Sequence, residues 1–289
     1  MSTLTATPDT PDTPDTPESA QAAPAGPVYR VTGRGVLLSE WAKLWSVRST
    51  WITLGLGLLF LVAFGVIAAS HYKSGLGSGR PMEGDFASAT AVSLSLFGTN
   101  FAQLALGVLG VLITAGEYAT GMIRSTLVAV PCRLPVLWSK AAVYGLVALV
   151  VATVGAFVAF LAGSRIVSGT SAAMGLGHAG VVRSLLGAGL YLGLVGVIGT
   201  ALGALLRSVA GGISVLVAAL MLVPGLITLL PSSWQGDLDP YLPSHAGASM
   251  FAVAHDSTTL SPGAGLLVLL GWTALALAGA AYRLLRSDA

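Results

Sequence analysis

Hydrophobic positions along the chain gather into six long runs, at about 51–70, 94–116, 139–163, 184–206, 209–230 and 263–282. Each is close to the roughly 20 residues that an α-helix needs to cross about 30 Å of hydrocarbon. The pattern predicts an all-α polytopic membrane protein with six transmembrane helices. Ahead of the first run, VLLSEWAKLWSVR repeats apolar residues at helical spacing (Val36, Leu37, Leu38, Trp41, Leu44, Trp45), with Glu40, Lys43 and Arg48 on the other face. This is the signature of a helix lying in the membrane interface. Trp41, Trp45 and Trp51 are then expected at headgroup depth, where indole is favoured.

The polar segments between the runs set the orientation. With the N-terminus inside, the cytoplasmic segments hold Arg30, Arg34, Lys43, Arg48, Arg124, Arg133, Lys140, Arg207, Arg283 and Arg286, against Lys73, Arg80, Arg165 and Arg183 outside. Lys and Arg concentrate in cytoplasmic loops, so both termini are expected in the cytoplasm. Residues 1–34 begin with repeated Thr-Pro-Asp triplets. Such a sequence has too little to bury to offset its ordering entropy, and it is expected to be a disordered cytoplasmic tail. The membrane domain then covers residues 35–289.

The most unusual polar segment is GEYATGMIRSTLVAVPCRLPVLWSK, from Gly116 to Lys140. Glu117, Arg124, Arg133 and Lys140 are not tolerated in hydrocarbon, where a central charge costs roughly 2.5–3.5 kcal/mol. Between Tyr118 and Val130 the segment is expected to wind into a short helix, stopped by Pro131 and Pro135. An amphipathic helix held at the membrane surface is a handle for a soluble partner. On the outer side, His71 to Ser93 reads as a flexible loop, and Ser244 to Ala254 as a short re-entrant or surface helix.

Inside the runs, polar and small residues mark helix contacts. Gly189, Gly193, Gly196, Thr200 and Gly203 step by 4, 3, 4 and 3, a small-residue stripe suited to close backbone approach. Packing within the chain and contact with a second copy both fit it. Pro224 should bend the fifth run. Asn100 and Gln103, one turn apart, either face a substrate path or hydrogen-bond between helices.

Composition narrows the function. The chain is 54% hydrophobic and 9% charged with mean hydropathy +0.83, against about 25% charged residues in soluble domains. The net charge of +2 is spread over many loops, which argues against nucleic acid, since that needs a concentrated basic face. One cysteine, Cys132, leaves no intramolecular disulfide or multi-cysteine metal site. No Gly-Lys pair occurs, so the chain has no Walker A loop. The centres of the six runs lack Asp, Glu, Lys and Arg, the groups that proton- or sodium-driven transport uses. His71, His178, His245 and His255 show no metal-ligand spacing, and no histidine in the last run faces Ser214 as an intramembrane serine protease requires. What remains is a transporter-like scaffold, not an enzyme itself, that needs a partner to supply energy.

The order of parts resembles the six-span permease subunits of ABC-2 type ABC transporters. The resemblance lies in SEWAKLWSVRSTW on the interfacial helix, ITAGEYATGMIR closing the second span, and the TL…P…R…W.K that follows. It covers roughly residues 35–289. It implies a coupling element at Glu117, Tyr118, Thr120, Gly121, Met122, Ile123, Arg124 and Arg133, docked on a separate ABC-type ATPase subunit. It also implies a cell-membrane complex of two permeases, identical or homologous, with two ATPases. ATP and magnesium would sit on the ATPase, and this chain would bind no cofactor of its own. A drug, antimicrobial peptide or lipid is the expected cargo. The competing class is a non-transporting membrane sensor or scaffold that binds a soluble partner through the same loop.

Overall fold

In the computed structural model of the chain, which describes residues 32–78, 86, 88–123, 126, 133–253 and 259–286, Thr32 opens the first helix. Its hydroxyl accepts the Gly35 N–H at 3.2 Å, satisfying one of the donors that a helix start leaves free. The helix, α1 (Gly33–Ser46), buries Val36, Glu40 and Leu44, one residue per turn. Leu37, Leu38, Trp41 and Trp45 face outward instead. The expected division of faces is thus corrected at Glu40, whose carboxylate points into the bundle rather than away from it. Trp41 stacks on Trp45 at 5.8 Å, and Trp45 meets the edge of Trp51 at 4.5 Å. This gives an exposed aromatic cluster around the joint at Val47. The tail up to Val31 lies outside the described residues.

Among the described residues six helices are long and apolar enough to cross a membrane, at Arg48–Gly77, Thr99–Ala119, Leu134–Ile166, Val181–Leu206, Val209–Ile227 and Pro262–Arg286. No strand is found among the described residues. The chain is therefore a helical protein of multi-pass membrane type. The first span is α2 (Arg48–Gly77), which runs on past His71 into the stretch expected to be a loop. The second run enters as a separate turn, α3 (Ala91–Ser95), before α4 (Thr99–Ala119). Thr90 and Ser93 form a reciprocal capping box that starts α3. Gly98 then lets the chain pass against the Leu61 carbonyl, where any Cβ would overlap it.

The third and fourth spans are α5 (Arg133–Ile166) and α6 (Val181–Leu206). Helix α6 lies at the centre, packed most extensively on α4 and α5. Its small-residue stripe is consumed inside the chain. Gly189, Gly193 and Gly196 lie against Thr153, Leu149 and Tyr144 of α5, while Gly203 lies against Val111 and Ala115 of α4. Thr200 is buried between them and donates to its own Val197 carbonyl at 2.7 Å. The core around this helix includes Leu106, Leu109, Tyr144, Tyr191, Leu192 and Val195.

Arg207, at φ 54°, turns the chain from α6 into α7 (Val209–Val217), which Ser208 caps. The fifth span continues through a π-helical turn at Ala218–Leu222 and α8 (Val223–Ile227). Pro224 accounts for that turn. A proline ring collides with the carbonyl four residues earlier and offers no N–H, and one wide turn relieves both problems. The chain then forms α9 (Ser232–Leu238), a 3₁₀ turn at Asp239–Tyr241 and α10 (Pro243–Phe251). The last places a helix where one was expected at Ser244–Ala254, ending three residues earlier; position 254 lies outside the described residues. Helix α10 is packed into the bundle against α6 and the last span, α11 (Pro262–Arg286). Gly247 fits under the Tyr191 ring, and Gly265 fits against the Ala246 carbonyl.

Candidate functional site

Parts of three helices meet at one end of the bundle: the body of α1, the last turn of α4 and the second turn of α5. They bring together four charged side chains separated widely in sequence. Lys140 Nζ donates to Glu40 Oε2 at 2.7 Å and to Glu117 Oε1 at 2.8 Å. Lys43 Nζ donates to Glu40 Oε1 at 2.7 Å and lies 3.2 Å from Glu117 Oε1. Acids and bases alternate around a closed ring, so the cluster carries no net charge. Glu40, Glu117 and Lys140 are buried, while the Lys43 side chain keeps 31% of its surface exposed. Buried charges persist only when paired and hydrogen-bonded, and the ring meets that condition at every atom but one. Glu117 Oε2 is buried, and among the described residues no donor reaches it.

For the Lys43 ammonium, burial is the largest single influence and favours the neutral amine. The hydrogen bond to Glu40 and the charges of Glu40 and Glu117 together outweigh it, so its pKa rises above the ordinary lysine value. Thr126 Oγ1 lies 3.5 Å from the same ammonium.

Beside the ring lies a cavity of about 440 Å³ between α1, α2 and α4. Leu44, Leu109, Leu112 and Ile113 contribute apolar wall, and Glu40, Lys43, Glu117 and Lys140 contribute the polar end. Val47, Leu112 and Met122, which also line it, are exposed.

The segment expected to couple to a partner begins inside α4. Tyr118 takes the Arg207 guanidinium over its ring at 5.1 Å, linking the ends of α4 and α6. Thr120 donates to the Gly116 carbonyl at 2.9 Å. Gly121, at φ 73°, ends the helix in the left-handed region that glycine tolerates best. Thr120, Gly121 and Met122 are exposed, whereas Glu117 and Ile123 are buried. Arg124, Pro131 and the side chain of Arg133 lie outside the described residues. On α2, Arg48 is exposed at the first position.

The other pair singled out from the sequence stays in contact, Gln103 Nε2 donating to the Asn100 carbonyl at 3.1 Å, but differs in burial. Asn100 is exposed, with its amide 3.4 Å from the Phe97 carbonyl. Gln103 is buried, and its Oε1 accepts from the Tyr191 hydroxyl of α6. A second buried phenol, Tyr144, donates to the Leu106 carbonyl at 2.5 Å. Neither tyrosine stood out in the sequence reading. The available signal was a phenol deep in an apolar run, which needs a hydrogen-bond partner when buried. Glu40 and Lys140 were read as facing water for want of any indication that α1 folds back on α5. Among the described residues no group of three or more His, Cys, Asp or Glu side chains gathers to hold a metal ion.

No protein-family model matches this chain, and no curated protein matches it.

Proposed function

We propose that this chain is the membrane-spanning permease subunit of an ATP-driven exporter of the ABC-2 type, coupled through the α4–α5 connection to a separate ATPase subunit on the cytoplasmic side. One observation carries the reading. The two roots of that connection, Glu117 and Lys140, are joined to each other at 2.8 Å and through Glu40 and Lys43 to α1. A displacement applied to the connection is therefore passed at once to α1, α4 and α5. A handle with rigid roots is what a subunit without its own Walker A loop needs.

In this reading the exposed Thr120, Gly121 and Met122 meet the ATPase, joined by Arg124 and Arg133 as the family resemblance implies. Glu117 and Ile123 hold the root of the handle rather than touch the partner. The complex pairs two such permeases, identical or homologous, with two ATPases in the plasma membrane, both chain termini in the cytoplasm. ATP and magnesium belong to the ATPase. The cargo class is a drug, antimicrobial peptide or lipid.

The test is co-purification with an ABC-type ATPase subunit co-expressed with this chain, comparing the intact protein with Thr120→Glu plus Met122→Glu. These positions are exposed, so insertion and folding should survive. Loss of the complex and of transport-linked ATP hydrolysis is expected. A folded chain that captures no such ATPase would turn the reading toward a membrane scaffold.

A further inference from the structure

A second cavity, of about 210 Å³, lies between α6, the fifth span and α11. Val195, Ile198, Leu202 and Leu205 line it from one face of α6, at steps of 3, 4 and 3, so it follows that helix for about 15 Å. Ala219 and Leu220 line it from the π-helical turn of the fifth span, and Trp272 and Leu275 from α11. A π turn takes in an extra residue, which shifts the side chains beyond it out of helical register. The packing agrees: α11 rests chiefly on α6 and α10, and the fifth span on α4 and α6. A cleft is left between them.

The chemistry of this wall excludes most occupants. Its only side-chain nitrogen or oxygen is the Trp272 indole N–H, which already donates to the Tyr241 carbonyl at 3.0 Å. A bound water needs roughly two to four polar partners, and a charged or sugar-like head needs them too. Size excludes more. The volume is below the roughly 300–1,000 Å³ of drug-sized sites, and a helix about 10–12 Å across has no room in it. Left empty, the lining would lose its dispersion contacts on one side. The surroundings supply a filler. Val215, Trp272 and Leu275 line the cleft and are also exposed, so it opens on the lateral surface of two spans. Trp272 lies ten residues into α11 from Pro262, about 15 Å along the helix and near the middle of about 30 Å of hydrocarbon. At that depth the medium is acyl chain.

We propose that a phospholipid acyl chain lodges lengthwise in this cleft, against α6 and between the fifth span and α11, as a bound part of the folded protein. The site stands whether or not the chain transports anything, because it rests on the spans and this wall alone.

The full chain is placed in nanodiscs of phosphatidylcholine carrying a diazirine in mid-chain, irradiated, and its adducts are mapped by mass spectrometry. Ile198 and Leu205 line the cleft from the central helix and are half-buried, whereas Leu267 of α11 is exposed outside it. Adducts are expected on Ile198 or Leu205 as well as on Leu267. A small water-soluble diazirine should leave Ile198 and Leu205 unlabelled. Ala219→Phe puts a ring into the cleft, and Leu275→Trp enlarges an exposed lining residue that the fold tolerates more easily. Each should remove most of the α6 adducts and leave Leu267 labelled, in protein that elutes and melts as a folded chain. Absence of α6 adducts in the natural protein, as a second copy covering the cleft would give, overturns the proposal. So does labelling of Ile198 or Leu205 by the water-soluble probe, or α6 adducts undiminished in either folded variant.

Discussion

Lys140 reaches across the end of the bundle to Glu40, 100 residues earlier in the chain, with Nζ 2.7 Å from Oε2. That bond closes a ring in which no charge can be removed without leaving another unpaired away from water. Breaking a buried pair from one side typically costs about 3–5 kcal/mol. Lys140→Met should therefore destabilise strongly, because Glu40 and Glu117 would share a single ammonium. Lys140→Met combined with Glu117→Met leaves Glu40 and Lys43 as a balanced pair at 2.7 Å. The double variant should recover about 1–3 kcal/mol relative to the sum of the single changes. Thermal unfolding of the four proteins in one detergent measures this. Simple additivity would remove the ring as an energetic unit.

How much of this could be read from the sequence depends on the range of the forces involved. The spans were legible because each is a local property of some 20 residues. Pro224 was expected to bend its run, and the form its effect takes, a π-helical turn at Ala218–Leu222, was not legible. The small stripe on α6 was legible as a contact surface, but its partners, Thr153 and Leu149 on one side and Val111 on the other, depend on which helices flank it. The site was only half legible. Glu117 and Lys140 were noticed as charges hydrocarbon would reject, and a charge at a span edge ordinarily faces water. What inverted that expectation is the return of α1 onto α5, a tertiary contact that turns Glu40 inward. Amphipathic spacing gave the helix correctly and the facing of Glu40 wrongly, because the periodicity does not distinguish a polar face in water from one neutralised by another helix.

Gln103 and Tyr191 make the only contact a buried amide oxygen and a buried phenol find in this part of the bundle among the described residues. Tyr191→Phe leaves Gln103 Oε1 without its donor, and Gln103→Leu leaves the hydroxyl without its acceptor. Each should cost about 1–3 kcal/mol, the penalty of an orphaned buried polar group. The two together should cost less than their sum, since the apolar pair leaves neither orphan. Equal and additive losses would show that the hydrogen bond is not what these residues contribute.

Glycines on α2 and α6 should respond in opposite directions to the same methyl group. At Gly199 a Cβ would overlap the Gly107 carbonyl of α4, so Gly199→Ala must push the two helices apart. A loss of about 1–3 kcal/mol is expected, the usual cost of overpacking a filled core. At Gly55, inside α2, nothing lies within 4 Å of the added carbon. Gly55→Ala should be neutral or stabilise by about 0.5–1 kcal/mol through helix propensity. Melting curves of the two variants decide it, and a comparable loss at both sites would contradict the packing of α6 on α4.

Alkaline pH should loosen the ring from its one partly exposed member. Lys43 faces Glu40 and Glu117 directly, with Thr126 beside it and Lys140 on the far side of both carboxylates. Its pKa in the folded chain is raised above the ordinary lysine value of 10.5. A raised pKa means that the folded state holds its proton more tightly than the unfolded chain does. The stability this contributes is complete below the ordinary value, and it is lost as pH climbs through the raised one. Lys43→Met lacks that proton at every pH. The gap in melting temperature between the natural chain and Lys43→Met should therefore stay constant up to about pH 10 and narrow above it. A gap that widens with pH would mean that Lys43 is held neutral by burial, and the ring would then have to be redrawn around Lys140 alone.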